Sequence, residues 1–279
     1  MPSQDVLKDL VKRVENGTLE FLEENSEFVV GCDQCGKCCR DREDILLSPH
    51  DVFHMVKATG MQVIDMLKKY TEVYLGPTSN LPIVRIVYRK ELDGSTTCPF
   101  LGKKDNKHYC RIHEYKPYVC RSYPLGRMTS YAADGTTATS DAKPRYFKQP
   151  MYGLPCSGMA RAILNNSKHT VCEWVGGKEK KDAADKYWVL FDTFTKKMSE
   201  TINLEEVYKL ESEELKHACF NMMMHLLYIE YDFEADDDAF LTQYEENTNR
   251  ILEYLKILAM HPNGKLKPNT KRGSKNQTA

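Results

Sequence analysis

The segment GCDQCGKCCR, residues 31–40, places four cysteines within eight residues. Two thiolates separated by two residues on a tight loop can bind one metal ion or one cluster. Gly36 lets the backbone turn sharply beneath the metal and leaves N–H groups free to face sulfur. Thiols crowded this closely would otherwise be a redox liability, so the spacing predicts a metal site. The four cysteines are Cys32, Cys35, Cys38 and Cys39.

Four further cysteines lie in turn-like contexts with Pro, Gly, Arg or aromatic neighbours. They are Cys98, Cys110, Cys120 and Cys156. Cys172 and Cys219 instead fall at the start of a helix and within a helix, where a cysteine is usually a small hydrophobic residue. Eight loop cysteines are twice the four that a tetrahedral zinc ion or a [4Fe–4S] cluster requires. We therefore predict two four-cysteine sites, and a single site with the other thiols around it or binding substrate remains the alternative.

The neighbours of these cysteines favour iron over zinc. Zinc modules usually pair two CxxC knuckles, whereas this chain has one clear knuckle and ligands dispersed over more than a hundred residues. Nearby aromatic residues could shield a cluster from water and tune its potential. We expect one or two [4Fe–4S] clusters, with zinc as the alternative. Arg40, Arg111 and Arg121 each adjoin a cysteine and should lower thiol pKa values, whereas His113 is a weaker ligand candidate.

The hydrophobic pattern predicts an α+β fold. Helical periodicity covers residues 3–25, with Gly17 as a candidate break or kink in the helix, and β-branched residues 82–89 predict a strand. Asp93-Gly94 and Asp134-Gly135 predict turns of short hairpins. Residues 178–230 and 236–260 have a helical pattern, and Ser48-Pro49-His50-Asp51 predicts a capped helix start.

These patterns predict a loop-rich, metal-organised cysteine domain with small β-hairpins, plus a helical C-terminal half. The boundary near residue 170 marks a change in sequence character, and the two halves could still pack as one unit. The predicted segments are an N-terminal helix at 1–27, the cysteine-cluster metal-binding domain at 28–169, a helical region at 170–262 and a disordered basic tail at 263–279.

The charge distribution is uneven although the formal net charge is only -1. Residues 200–246 are acidic, and residues 263–279 are basic but lack aromatics, so neither predicts nucleic-acid binding. No apolar run approaches membrane-spanning length, and the N-terminus has no signal-peptide pattern. We therefore expect a cytoplasmic protein with reduced thiols, no membrane and no nucleic acid, and a protein partner or substrate that the sequence does not identify.

The ordered motifs resemble the CxxCxxCC family of zinc- or iron-chelating cysteine-cluster proteins. The resemblance covers roughly residues 28–160. The resemblance implies metal binding, with an iron–sulfur cluster as the expected group. A related group of cysteine-cluster proteins includes flagellin lysine methylases, to which this chain is distantly similar. Lys116 stands where family members often have Arg, and Ser157 where Pro is common. The matching motifs are Cys32–Cys39, Leu47–Asp51, Cys98–Leu101, Cys110–His113, Lys116–Pro124 and Cys156–Gly158.

Three functions remain open from the sequence. The first is a metal-cluster protein in redox chemistry, metal handling or maturation. The second is a protein- or peptide-modifying enzyme, similar to a lysine N-methyltransferase, although no Gly-rich loop after a strand predicts a site for S-adenosylmethionine. The third is a zinc-stabilised interaction module. The sequence identifies no catalytic residue, so whether the protein is an enzyme is also open.

Overall fold

The computed structural model describes residues 12–13, 16–42, 45–77, 79–129, 144–149, 156–202, 204–208 and 212–260. Helices and small antiparallel sheets build an α+β fold with a helical C-terminal half, as the sequence predicts. The helices are α1 (Pro49–Thr59), α2 (Val63–Tyr70), α3 (Tyr118–Ser122), α4 (Ser157–Asn165), α5 (Val171–Trp174), α6 (Lys178–Thr201), α7 (Leu204–Tyr208), α8 (Glu213–Tyr228) and α9 (Asp237–Met260). Short 3-10 turns cover Lys37–Cys39 and His113–Tyr115.

The strands are short and pair antiparallel throughout the described residues. Two sheets have three strands, in the orders β1-β11-β10 and β3-β5-β4, and the pairs β12-β2, β6-β7 and β8-β9 have two. The strands are β1 (Phe21–Leu22), β2 (Glu27–Val29), β3 (Leu46–Leu47), β4 (Thr71–Leu75), β5 (Pro82–Ile86), β6 (Arg89–Lys90), β7 (Thr96–Thr97), β8 (Leu101–Lys104), β9 (Lys107–Cys110), β10 (Leu125–Thr129), β11 (Pro144–Lys148) and β12 (Lys168–Thr170).

The N-terminal helix is shorter than the sequence predicts. Its C-terminal hydrogen bonds run from Asn16 N to the Lys12 carbonyl and from Thr18 N to the Arg13 carbonyl. Gly17 follows at φ +64°, the left-handed conformation that ends helices. The helix predicted over residues 1–27 is therefore wrong beyond residue 16, because the chain turns there and then forms β1.

The structure contains one of the predicted hairpins and a further hairpin that the sequence did not predict. The strand predicted at 82–89 is β5, and Asp93-Gly94 does turn β6 back onto β7. The hairpin β8–β9 was not predicted, although its turn residues Asp105 and Asn106, both at positive φ, are typical of a two-residue hairpin loop. β10 pairs with β11 at 144–148, whereas the predicted turn at 134–135 lies outside the described residues.

A single hydrophobic core joins the two halves of the chain. It combines β-strand and α1 residues such as Val84 and Phe53 with helical residues such as Phe240 and Met223. A smaller core lies under β1, β2, β10 and β11 and includes Val30 and Tyr146. The boundary near residue 170 thus marks a change in sequence pattern, and the segments on its two sides share one hydrophobic core.

In the described ranges, none of the helices is long and apolar enough to cross a membrane. The basic tail predicted at 263–279 lies outside the described residues.

Candidate metal centre

The CxxC loop turns at Gly36, which adopts φ +75°. A Cβ at this position would lie 2.9 Å from the His108 ring, so the residue also needs to be glycine for the β8–β9 hairpin to approach. The hairpin is tied to the loop by a 2.9 Å hydrogen bond from His108 N to the Gln34 carbonyl. The following 3-10 turn carries Cys38 and Cys39. The loop therefore presents its thiols towards the hairpin that carries Cys110.

Backbone pairing brings Cys98 to the same place. Cys98 N donates to the Cys39 carbonyl at 2.9 Å. Next to it, Asp41 N donates to the Thr96 carbonyl at 2.9 Å, and Thr96 N donates back to the Asp41 carboxylate at 2.8 Å. These bonds hold the end of the CxxCxxCC run against β7.

The helix α3 supplies Cys120. Its N-terminus is fixed by α1, because Asp51 accepts a hydrogen bond from Tyr118 N at 2.7 Å. Asp51 also completes the predicted capping box with Ser48, so one carboxylate organises both elements. Pro117 precedes the helix, and its carbonyl accepts from Cys120 N at 2.9 Å.

These elements enclose a cavity of about 350 Å³, here called the cysteine cavity. Aromatic side chains, including Tyr88, Phe100 and Tyr123, share its wall, and His113 also borders it. Six of the eight predicted ligands line it, namely Cys32, Cys38, Cys39, Cys98, Cys110 and Cys120.

The thiols inside the cavity influence one another's ionisation. Burial, reinforced by Cys110, raises the pKa of Cys98 to about 11. Burial also raises the pKa of Cys120, with Cys98 and Cys110 adding to the effect. Burial likewise raises the pKa of Cys110. A bound metal would add positive charge that favours the thiolate form of all three.

The pKa values of Cys38 and Cys39 shift in opposite directions although the two residues are adjacent. Their sulfurs are 3.9 Å apart and share a hydrogen bond. That bond lowers the pKa of Cys38, helped by the positive charges of Lys116 and Arg42, and raises the pKa of Cys39. The cations that lower the pKa of Cys38 are therefore Lys116 and Arg42, whereas sequence adjacency had suggested Arg40.

Two of the three arginines that adjoin cysteines in the sequence, Arg40 and Arg121, contact groups other than thiols. Arg121 donates to the carbonyls of Glu114, at 3.0 Å, and Lys116, at 3.4 Å. Arg40 lies 3.5 Å from the Thr97 hydroxyl. Arg111 is exposed. Sequence adjacency failed here because successive side chains point in different directions from the backbone.

Cys35 and Cys156 form a second thiol group. Burial opposes ionisation of Cys35, but hydrogen bonds from Lys37 N, Ser157 and Cys156 outweigh it and lower the pKa of Cys35. Burial and the neighbouring Cys35 raise the pKa of Cys156. Burial raises the pKa of Tyr123, and Cys156, Cys38 and Cys35 add to the effect. Neither Cys35 nor Cys156 lines the cysteine cavity.

The helix α4 presses directly on the CxxC loop. A Cβ at Gly158 would lie 2.6 Å from Asp33 N and 2.8 Å from the Cys32 Cα. Arg161 adds an ion pair to Asp33 at 3.2 Å. Because α4 begins directly after Cys156, this packing brings a cysteine distant in sequence beside the loop.

Residues 31–143 match the model of the CxxCxxCC family, described as "Putative zinc- or iron-chelating domain".

The CxxCxxCC match includes seven of the eight predicted ligands, and Cys156 lies beyond it. The family description supports metal binding by this segment and leaves open the choice between zinc and iron. Neither the comparison with curated proteins nor the comparison with solved structures gave a match. The distant similarity to flagellin lysine methylases therefore gains no support from them.

The donor set of the CxxCxxCC domain fits a thiophilic metal. A tetrahedral zinc ion with bonds of about 2.3 Å holds its sulfurs roughly 3.8 Å apart. Cys38 and Cys39 have about that separation, and the cavity that they line with four other cysteines has a volume of about 350 Å³.

The two remaining cysteines lie elsewhere. Cys219 is buried within α8, and burial raises the pKa of its thiol. Cys172 lies in α5. Neither borders the cysteine cavity, in keeping with their interpretation as packing residues.

Sequence analysis did not single out a third group of ligand-type side chains. In the part of the chain that the structure describes, the donor atoms of His50, His54 and Asp237 all lie within 4.8 Å of one another. The spacing His50-x3-His54 within a predicted helix could have revealed the histidine pair, because such residues share one helix face. Asp237 comes from a helix distant in sequence, so no local pattern could indicate its approach to the histidines.

Proposed function

We propose that the chain binds two [4Fe–4S] clusters through two sets of four cysteines, for a role in redox chemistry, metal handling or maturation. The observation that carries the proposal is the presence of two thiol groups, namely the thiols that line the cysteine cavity and the pair formed by Cys35 and Cys156. The first set is Cys32, Cys35, Cys38 and Cys156. The second set is Cys39, Cys98, Cys110 and Cys120.

Neighbouring charges support the pairing of Cys35 with Cys156 and of Cys39 with Cys98 and Cys120, whereas Cys38 acts on thiols of both sets. The pKa of Cys35 responds to Cys156 and Cys38, which belong to the first set. The pKa of Cys39 responds, beyond its bond to Cys38 and burial, to Cys98 and Cys120 of the second set.

Two features support iron in preference to zinc. A CxxCxxC triplet completed by a remote cysteine is a ligand pattern of bacterial [4Fe–4S] proteins. The cysteine cavity, at about 350 Å³, also offers more space than a single ion fills. Zinc bound by one set of four thiols remains the alternative that the family description allows.

A bound [4Fe–4S] cluster would supply one-electron chemistry. The chain's own contribution is to hold the thiols, exclude water and donate hydrogen bonds to sulfur. Gln34 N lies 3.4 Å from the Cys32 sulfur, and Lys37 N bonds to Cys35. Such N–H donors stabilise thiolates and shift the reduction potential upwards. Tyr88, Phe100 and Tyr123 shield the cavity from solvent.

The thiol chemistry also supports a reducing compartment, and we propose the cytoplasm. All ten cysteines are free. A metal site of thiolates survives where disulfide formation is suppressed.

The test is anaerobic purification of the full chain with iron, zinc and acid-labile sulfide counted per folded protein. We expect about eight irons and eight sulfides, together with a broad sulfur-to-iron absorption band in the visible. Four irons would mean one cluster and overturn the two-set division. Stoichiometric zinc without labile sulfide would overturn the iron proposal. Cys120→Ser should release metal, whereas the matched control Cys172→Ser should retain it.

A further inference from the structure

Two histidines and one carboxylate converge at the junction of α1 and α9, away from the cysteine cavity. The Nε2 atoms of His50 and His54 lie 3.2 Å and 2.7 Å from the same oxygen, Asp237 Oδ1. The histidines are one helical turn apart on α1, so their rings share a face. We propose that His50, His54 and Asp237 form a binding site for one divalent first-row transition ion, with open coordination positions facing a cleft.

The distances suit ligands of a single ion. Bonds of about 2.0–2.1 Å from one ion to nitrogen and oxygen put the donor atoms roughly 2.9–3.4 Å apart at right or tetrahedral angles. The observed separations of 3.2 Å and 2.7 Å require adjustments of only a few tenths of an ångström. Two imidazoles with one carboxylate form the donor set typical of iron(II) and zinc sites with exchangeable positions.

Packing fixes the histidine rings before any ion arrives. The His50 ring stacks on Tyr187 and Phe240, with ring centres 5.6 Å and 5.1 Å apart. The His54 ring lies 4.3 Å from His50 and 5.8 Å from Tyr115. Little side-chain freedom is therefore left to lose on binding, which favours affinity.

Asp237 is placed to remain a charged ligand. It lies in the first turn of α9, where the helix dipole favours a carboxylate. Burial opposes ionisation, but the hydrogen bonds from His50 and His54 outweigh it and hold the pKa of Asp237 below its ordinary value. The preceding residue, Asp236, is occupied in capping the helix through Ala239 N at 2.9 Å.

The site opens on one side only. His50 is buried, whereas His54 and Asp237 border a cleft of about 490 Å³. The cleft is otherwise lined by charged and polar groups, including Lys57, Glu179 and Asp182. Three protein ligands with a free side are characteristic of metal sites that bind water or substrate, not of closed structural sites.

Nearby cations do not occupy the site. The Lys57 ammonium hydrogen-bonds to the Ala235 carbonyl. Lys186 pairs with Asp238 at 2.8 Å. Both lysines therefore have partners outside the triad, and the Asp237 oxygen faces the two histidines alone among the described contacts.

The experiment uses Co²⁺ as the probe on the full chain purified anaerobically with its native metal. Equilibrium dialysis counts cobalt per chain for the wild type, His54→Ala and Asp237→Asn. The matched control is His225→Ala, which removes a surface histidine lying 3.0 Å from Glu230. Every variant keeps all the cysteines, so cobalt held by thiols cancels in the comparison, and failure of the iron–sulfur proposal would not affect the result.

We expect one more cobalt in the wild type and in His225→Ala than in His54→Ala, with affinity at least about tenfold weaker in the two triad variants. X-ray absorption at the cobalt edge should show nitrogen and oxygen neighbours near about 2.1 Å without a sulfur shell at about 2.3 Å. Asp237→Asn keeps the shape of the side chain, so it serves if His54→Ala does not fold. Equal cobalt in all four proteins, or a sulfur shell on the extra ion, overturns the proposal and leaves a hydrogen-bonded triad that only joins α1 to α9.

Discussion

Asp51 accepts a 2.7 Å hydrogen bond from Tyr118 N with one carboxylate oxygen, while the other oxygen caps its own helix at Ser48. The two residues are 67 positions apart. This one side chain therefore connects the start of α1 to the start of α3, which carries Cys120. This hydrogen bond explains physically how the motif that contains Asp51 helps to position the motif that contains Cys120.

Asp51→Ala should destabilise the fold and weaken metal retention. It removes a helix cap and leaves Tyr118 N without its acceptor, which together cost about 2–3 kcal/mol. Urea unfolding measures the free energy, and metal per folded chain measures the effect on α3. The control is Asp65→Ala, an exposed acidic residue in the first turn of α2 that makes no capping bond, for which about 0.5 kcal/mol is expected. Equal losses for the two variants would contradict the linking role.

Asp185 should matter much more than its neighbour Asp182. Asp185 accepts hydrogen bonds from Arg127 at 3.2 Å, Lys181 at 3.1 Å and Tyr146 at 3.3 Å, and both cations are largely buried. Removing this carboxylate leaves the largely buried Arg127 without its carboxylate partner and takes one of three carboxylates from Lys181, so Asp185→Ala should cost about 3 kcal/mol.

Asp182→Ala is the matched control on the same helix. Asp182 also contacts Lys181, at 3.2 Å, but its side chain is 40% exposed. Its loss should cost less than about 1 kcal/mol because solvent screens the pair. Denaturant unfolding of both variants measures the difference, and a ratio near one would show that the buried network has no special weight.

Local sequence signals predicted the elements whose stability is local. Ser48 and Asp51 predicted the start of α1, and Asp93-Gly94 predicted a hairpin, because capping and turn chemistry act within four residues. The sequence could not predict that Phe240 and Phe53 share a core across the boundary near 170, since helical periodicity marks a buried face without naming its partner.

The candidate site likewise combines features that a local pattern predicts with features that only the folded chain brings together. The CxxCxxCC spacing identified the loop, but the approach of Cys156 depends on the packing of Gly158 against Cys32, which no local pattern encodes. The cations beside Cys38 were likewise missed, because Lys116 reaches the site through the fold.

Gly158→Ala should damage the CxxC loop although alanine favours helices. In an unobstructed helix the change would stabilise by up to about 1 kcal/mol. Here the new Cβ would meet backbone atoms of Cys32 and Asp33, neither of which can yield without moving the loop. We expect a net loss of about 1–3 kcal/mol and a loss of metal.

Gly94→Ala is the comparison for this variant. Gly94 has φ +83° with open space around it, so alanine there costs about 1 kcal/mol of backbone strain without touching a cysteine. Thermal unfolding and metal analysis should show two destabilised proteins, of which only Gly158→Ala has lost metal. Full metal content in folded Gly158→Ala would show that α4 is not needed to position the loop.

The division of the cysteines into two sets predicts a specific pattern of additivity. If Cys38 and Cys156 hold the same cluster, either Cys→Ser change removes that cluster, and the double variant loses no more iron than each single one. The same holds for Cys39 with Cys120. The cross pair Cys38→Ser with Cys39→Ser should lose both clusters, and iron per folded chain should fall to nearly zero. If the cross pair loses no more iron than one single variant, adjacent cysteines serve one site, and the opposite ionisation of Cys38 and Cys39 then reflects only their shared hydrogen bond.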